Sequence, residues 1–405
     1  MIEILDKKNC CGCTACMQVC PQQCITMAAD GEGFTYPSVN MQECIDCHLC
    51  EKVCPILNQG QPCEPKGIYA AQSGDEKVLM NSSSGGVFTV LAEKTIEENG
   101  VVFGARFNEK WEVVHDYTET KEGLEVFRGS KYVQSNIGNT YKEVKVFLKQ
   151  NRVVLFSGTP CQIRGLKLFL RKEYDNLLTV DFICHGVPSP KVWRMYLEET
   201  IKYWRKKSAS YRSVMEIKSV SFRDKCLGWK RFSFSFTFSI IDKHGERKII
   251  SSSEPLEKNV FMRGFMSNLF LRPACHECKC REFRSGSDIT IADCWGLNKV
   301  YPKMDDDKGY SLCIVKNERL LGIISTLNPL PIERDFIHKY NRSCFVSDIM
   351  PVNRTRFFEL IQEGKLSKLI CNYATFPDKS MKTILVKIFN KMGLLPVIKE
   401  ILGKL

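Results

Sequence analysis

Residues 10–21, CCGCTACMQVCP, place cysteines at 10, 13, 16 and 20 before a proline, and residues 44–55, CIDCHLCEKVCP, repeat that spacing with cysteines at 44, 47, 50 and 54. Thiolates at C-x2-C-x2-C let one loop wrap three corners of a cubane iron–sulfur cluster, while the cysteine before proline ligates the other cluster of a pair. The tandem predicts two 4Fe-4S centres that exchange their fourth ligands. Cys10, Cys13, Cys16 and Cys54 would hold the first, and Cys44, Cys47, Cys50 and Cys20 the second. Zinc sites use pairs of cysteines rather than triplets, and the C-x3-C-x2-C spacing of radical-SAM enzymes does not occur. Cys11, Cys24 and Cys63 lie outside the pattern and read as small buried residues or spare thiols.

Residues 1–60 resemble bacterial-type two-cluster ferredoxins, which leaves most of the chain serving something else. A disulfide framework belongs to short secreted chains with an even number of cysteines. This chain has 21 cysteines in 405 residues and starts MIEILDKK, without the apolar run of a secretory signal. No stretch reaches the roughly 18 apolar residues of a membrane span, so the expectation is a reduced, cytoplasmic protein. Its 44% hydrophobic and 26% charged residues are ordinary for a globular chain. The net charge of +12 suits nucleic acid, an anionic membrane surface or an acidic protein. No helix-turn-helix, RNA-recognition or zinc-finger pattern supports the first of these.

Residues 58–67, NQGQPCEPKG, read as a linker. Strand-like and helix-like segments then alternate, the pattern of an α/β domain. Residues 68–73, 101–107, 152–158 and 177–184 read as strands, and 87–99 as a helix. In RFSFSFTFSI (231–240), phenylalanine at every second position predicts a strand with one buried face, and KHG at 243–245 a hairpin turn. NSSSGGVF (81–88) joins a strand region to a helix, where open N–H groups suit a phosphate or pyrophosphate; an ordinary capped helix is the plainer reading. In the tail, Met381, Ile384, Leu385, Ile388, Phe389 and Met392 share one helical face apart from the lysines, so residues 379–405 could lie on anionic lipid or pack on the protein itself.

Cys161 follows SGTP at a strand-to-helix switch and Cys184 ends the strand LLTVDFIC, both at carboxyl ends of strands, where α/β sheets gather ligands. PACHECKC adds Cys275, Cys278 and Cys280. A third metal centre needs four ligands, and Cys161, Cys184, Cys275 and Cys278 form the best set, with Cys280 or Cys294 able to substitute.

The ordered motifs SSSGGVF, RGSKYVQS, SGTPCQ, DFICHGVPSP, FRDKCLGW and CHEC followed by SDITIADCWG resemble the coenzyme F420 hydrogenase/dehydrogenase beta-subunit family, including bacterial members with a fused ferredoxin, over roughly residues 1–325. The resemblance implies FAD on the α/β domain with a 4Fe-4S cluster beside it. Carried over, Ser83, Ser84, Gly85 and Gly86 would lie at the FAD phosphates with Lys131, Gln134 and Ser135 nearby. The cluster would fall on Cys161, Cys184, Cys275 and Cys278.

The expected architecture is α+β and α/β: a two-cluster ferredoxin domain (1–60), a linker (61–67), a mixed α/β FAD-binding domain (68–325) and a mostly helical basic extension (326–405). The expected function is an iron–sulfur flavoprotein oxidoreductase that passes electrons from reduced ferredoxin through the clusters to FAD and on to an organic substrate. Alternatives are a coenzyme F420-linked beta subunit of a larger complex and an electron relay with no substrate of its own. Lys230 and Arg231, with Arg223 and Lys225, are candidates for holding a small anionic substrate, or else form a solvated basic face. His185 is a candidate proton donor beside Cys184, or a turn-capping residue.

Overall fold

The two cysteine repeats share a backbone device. In the computed structural model, which describes residues 1–207, 216–241 and 246–374, Thr14 (φ 62) and His48 (φ 58) are left-handed. Each reverses the chain out of its C-x2-C loop into a short helix, Ala15–Val19 or Leu49–Lys52, which carries the third cysteine of its repeat, Cys16 or Cys50. An antiparallel hairpin of β1 (Ile25–Ala29) and β2 (Thr35–Val39) connects the repeats. The tail 379–405 and the turn at 243–245 lie outside the described residues.

The second layer is an eight-stranded sheet. It contains β3 (Gly67–Ala71), β4 (Val101–Phe107), β5 (Val113–Thr118), β6 (Val154–Ser157) and β7 (Leu177–Phe182). Beyond the small sheet of β8 (Glu216–Asp224), β9 (Ser233–Ile241) and β10 (Arg247–Pro255), it adds β11 (Ile289–Asp293), β12 (Ser311–Val315) and β13 (Leu330–Pro331). The order is β13-β3-β12-β11-β7-β6-β4-β5, with β11, β7, β6 and β4 mutually parallel. Val101, Val102, Phe103, Val154, Leu155 and Phe156 are all buried, the run of apolar residues that a parallel strand covered on both faces demands. All four parallel strands point their carboxyl ends the same way, so Thr159, Cys184 and Asp293 follow or end strands on one edge of the sheet.

Phe234, Phe236 and Phe238 are buried, against Trp193, Tyr196 and Trp204, but Ser233, Ser235 and Ser239 between them are buried too and Phe232 is only half-buried, so β9 is covered on both faces rather than on the one its period suggests. The C-terminal segment is less separate than the sequence suggests. Leu330 and Pro331 pair with Ala70 and Tyr69 at the sheet edge, and Phe357, Ile361, Leu366, Leu369 and Ile370 complete the core under the small sheet. The stretch read as a linker is pinned as well: Arg164 donates to the Asn58 carbonyl and Arg284 to that of Gly60.

Polar contacts join the ferredoxin unit to the rest. Arg272, with no exposed surface, donates through Nε to the Cys10 carbonyl (2.6 Å), through Nη1 to Gln134 Oε1 (3.0 Å) and through Nη2 to the Thr35 carbonyl (2.9 Å). Its guanidinium lies 4.4 Å from the Tyr36 ring centre. Arg354 grips the Glu32 carboxylate and also donates to the Leu271 carbonyl. Both arginines are buried because their stems cross the seam between the units, where each charge meets several acceptors.

Candidate functional site

The cysteines of the first ferredoxin set lie close enough together to shift one another's acidity. Burial pushes the Cys16 thiol up to about 12, and its neighbours Cys10 and Cys54 push further in the same direction. Cys13 feels Cys16 and Cys54, while Arg272 Nη2 lies 3.4 Å from Cys10 Sγ. The second set, Cys20, Cys44, Cys47 and Cys50, lines one small cavity closed by Pro21, Ile25 and Val39. Cys24 lines the same cavity, with its sulfur 3.4 Å from that of Cys20. Burial and neighbouring sulfurs disfavour the thiolate forms of Cys13 and Cys16 in the bare chain, and a cationic iron centre would offset that by holding them as thiolates. The donor sets therefore fit the centres the spacing implies. Among the described residues no three His, Cys, Asp or Glu groups close round a single metal ion.

The third set also comes together. The Cys184 thiol is pushed up first by burial and then by Cys275, Cys161 and Cys278, and the Cys275 thiol is pushed up to about 12 by burial and then by Cys278. Each comes from a different device. Cys161 sits in the first turn of helix Pro160–Leu170, whose cap is a Thr159/Gln162 capping box. Cys184 follows β7, and Cys275 and Cys278 come from the short turn Pro273–Glu277 and the residue after it. Cys280 is buried beside Cys161 and Cys278, so it stays a substitute ligand. Cys294 packs elsewhere, with Leu312 and Ile337.

Two features of this centre have no signal in the sequence. Cys11, outside the ferredoxin spacing, lies beside both Cys13 and Cys161, and Gly165 packs against Cys13, where a Cβ would lie 3.0 Å from its sulfur. The first ferredoxin centre thus abuts the helix that carries Cys161. The second feature is a clamp from the C-terminal segment. Ser347 Oγ accepts from the Cys278 N–H (3.1 Å) and from Arg281 Nε (3.0 Å), and the Asp348 carbonyl meets His276 Nδ1 at 2.9 Å. The Asp348 carboxylate lies 3.1 Å from His185 Nδ1, and this contact holds it below the usual carboxylate range. His185 is therefore tied to the clamp, with its ring edge against Phe265.

The serine–glycine turn lies beyond β3, near the β12 end. Ser83 Oγ accepts from Ser130 N–H (2.7 Å), Ser84 Oγ donates to the Tyr310 carbonyl (2.7 Å), and the Gly85 N–H donates to Ser311 Oγ (3.0 Å). Gly86, at φ +83, then opens helix Val87–Glu97. Over the turn, Arg223 makes a two-pronged pair with Asp293 (2.7 and 3.0 Å) under the Phe232 ring. Lys225 donates to the Leu79 and Ser84 carbonyls, and burial, followed by the nearby Arg223, pushes it down to about 8. Trp229 stacks on Trp295 at 4.6 Å and donates to Asp293. Lys131 caps the Phe127, Arg128 and Gly129 carbonyls. Gln134 and Ser135 are elsewhere: Gln134 spans Cys11 and Arg272, and Ser135 accepts from Gln162. Lys230 is matched by Asp305 at 2.7 Å, and Arg231 is exposed near Glu257.

Residues 151–329 match the family described as the C terminus of the coenzyme F420 hydrogenase/dehydrogenase beta subunit, and residues 9–57 match a 4Fe-4S dicluster domain. Residues 151–329 thus carry that family's C-terminal domain, preceded in the same chain by the dicluster domain. Among curated proteins, the coenzyme F420-dependent sulfite reductase of Methanocaldococcus jannaschii is 23% identical over 328 residues, 78% of this chain and 46% of its own length. An uncharacterized protein of the same organism is 25% identical over 207 residues, 43% of this chain and 56% of its own. The chain thus spans about half the length of the curated relatives it matches. A chain of the F420-reducing nickel–iron hydrogenase complex from Methanosarcina barkeri overlays 75% of this chain and 94% of itself, at TM-score 0.43 and 17% identity. Asp293, Trp295, Cys161 and Cys184 all belong to the segment matched by the family, whereas Ser347 and Asp348 lie beyond it.

Proposed function

We propose that the chain is an iron–sulfur oxidoreductase in which electrons enter the ferredoxin unit from a reduced ferredoxin, cross to a third 4Fe-4S centre and serve a flavin, FAD, that reduces an organic substrate. The observation that carries this reading is the continuity of the thiols: Cys13 and Cys11 of the ferredoxin unit touch the helix of Cys161, and Cys161 sits with Cys184, Cys275 and Cys278. Three centres in series have no use unless something accepts their electrons. When bound, a flavin takes up single electrons and delivers them as a pair.

The turn Ser83–Gly86 has spent its hydroxyls on protein partners, so what it offers a phosphate is backbone N–H groups at the helix start. Arg223 and Lys225 supply positive charge over that turn, and Trp229 with Trp295 supplies a flat apolar wall. This combination suits a planar ring bearing phosphates. A second reading draws on the family description and the curated relative's name: coenzyme F420 as the partner that gives or takes the electron pair, with the chain working as the beta subunit of a larger complex.

Anaerobic purification with iron and flavin analysis tests the proposal. It predicts about twelve irons and one flavin per chain, and flavin bleaching by reduced ferredoxin. Full clusters with no flavin would overturn it. Bleaching by reduced F420 alone would favour the second reading.

A further inference from the structure

Outside the three thiol groups, one surface combines unpaired charge with proximity to a centre. A groove runs between helix Thr140–Lys149 and the ferredoxin unit. Lys142, Lys145 and Lys149 recur at three- and four-residue intervals and so share one side of that helix, and Arg171 joins them from the C-cap of helix Pro160–Leu170. Among the described residues none of the four has a carboxylate within ion-pair reach, and Lys145 instead lies 5.5 Å above the Phe169 ring. The groove is apolar between the charges, with Val146, an exposed valine, on its wall. At its other edge stand Val19 and Leu49, the residues next to Cys20 and Cys50. The acidic residues beside the second centre do not line it, and Asp46 and Glu51 are engaged by the Met1 amine and His48.

We infer that this groove is the docking surface for a small acidic one-electron carrier protein, which reduces the chain at the centre held by Cys20, Cys44, Cys47 and Cys50. The inference rests on the reading that a protein donor feeds the ferredoxin unit, and it adds where that donor binds and which centre it meets first. A carboxylate-bearing face would gain from four unpaired cations around an apolar floor, the arrangement that speeds encounter and fixes orientation. One electron leaves the carrier's cluster, which is oxidised, and enters the second centre, which is reduced. No bond is made and no proton moves. Cys47 is exposed, so the receiving centre stands at the protein surface, whereas the Cys10 set is covered by the rest of the chain.

The test is stopped-flow reduction of the anaerobic holoprotein by a reduced, acidic two-cluster ferredoxin at low salt. The triple reversal Lys142→Glu, Lys145→Glu, Lys149→Glu should lower the second-order rate constant by on the order of tenfold or more and flatten its salt dependence. A control with equal net charge, Lys202→Glu, Arg205→Glu, Lys206→Glu, sits at the far end of helix Pro190–Lys207 and should stay within about twofold of the wild type. Iron content and the EPR spectrum after dithionite verify folding. If the reversal triple fails that check, the milder triple Lys→Gln set takes its place, with a smaller loss expected. Equal rates in the two charge-matched triples would overturn the groove while leaving a protein donor standing. A wild type that dithionite reduces but the acidic carrier does not would overturn the donor reading, and the groove with it.

Discussion

Replacing Arg272 with methionine should loosen the ferredoxin unit from the rest of the chain. The substitution keeps most of the stem volume but removes the donors to the carbonyls of Cys10 and Thr35 and to Gln134 Oε1, and the cation over Tyr36. A buried acceptor left bare costs roughly 1–3 kcal/mol, and a desolvated cation over an aromatic ring contributes about 2 kcal/mol. Removal of the buried charge's own desolvation cost offsets part of this, so the net loss should be about 4 kcal/mol, in the range found when buried charged partners are broken. That corresponds to roughly a thousandfold rise in the population with the seam open. Limited proteolysis of the anaerobic holoprotein reads this directly, through new cleavage within residues 58–67 and a fall in the urea midpoint. Arg272→Lys should recover only part of the loss, because an ammonium cannot reach acceptors arranged around a planar fork. A methionine variant with wild-type midpoint and no new cleavage would refute the idea that Arg272 holds the seam.

Cys161→Ala or Cys278→Ala should cost about a third of roughly twelve irons while both ferredoxin-type EPR signals persist; full iron in either variant would hand the role to Cys280. Gly86→Glu should abolish flavin retention, since it sets a negative charge at the turn. Gly86→Ala should keep the flavin and lose only about 1–2 kcal/mol of stability to its left-handed backbone, as measured by flavin release and urea titration. His115 is buried against Phe156, and burial pushes it down to about 4 from the ordinary 6.5. The unfolded chain therefore binds the extra proton first, and stability is lost as pH falls through 6.5 toward 4. Relative to His115→Phe, the wild type should lose about 2 kcal/mol between pH 7 and pH 5 in urea titrations, and parallel curves would count against this account.

The sequence made the thiol sets legible because ligand spacing is a local property. C-x2-C-x2-C sits on one loop and one helix turn, which brings Cys10, Cys13 and Cys16 close in space. The parallel strands were legible for a similar reason: VVF at 101–103 and VLF at 154–156 need only their own apolarity to announce burial. Cys161, Cys184, Cys275 and Cys278 were harder, since strand ends suggest a shared edge but do not say which loops meet there. Arg272, Ser347 and Asp348 were invisible, because each acts on a partner far away in the chain, and so was the approach of Cys11 to Cys161. Gln134 and Ser135 belong to a motif whose neighbours do reach the serine–glycine turn. Their own side chains turn toward the ferredoxin seam and Gln162, a distinction of side-chain direction that no motif records.

The pinned segment around Asn58 and Gly60 bears on kinetics. A free carrier must find its acceptor at whatever concentration the surroundings supply, whereas a domain tied by a short connection behaves as though present at millimolar levels or above. Contacts from Arg164 and Arg284 go further than a tether, because they remove the search altogether. On the proposed route, transfer from the ferredoxin unit inward would be a first-order event, insensitive to protein concentration and to salt. Whatever limits throughput by diffusion must lie outside the chain.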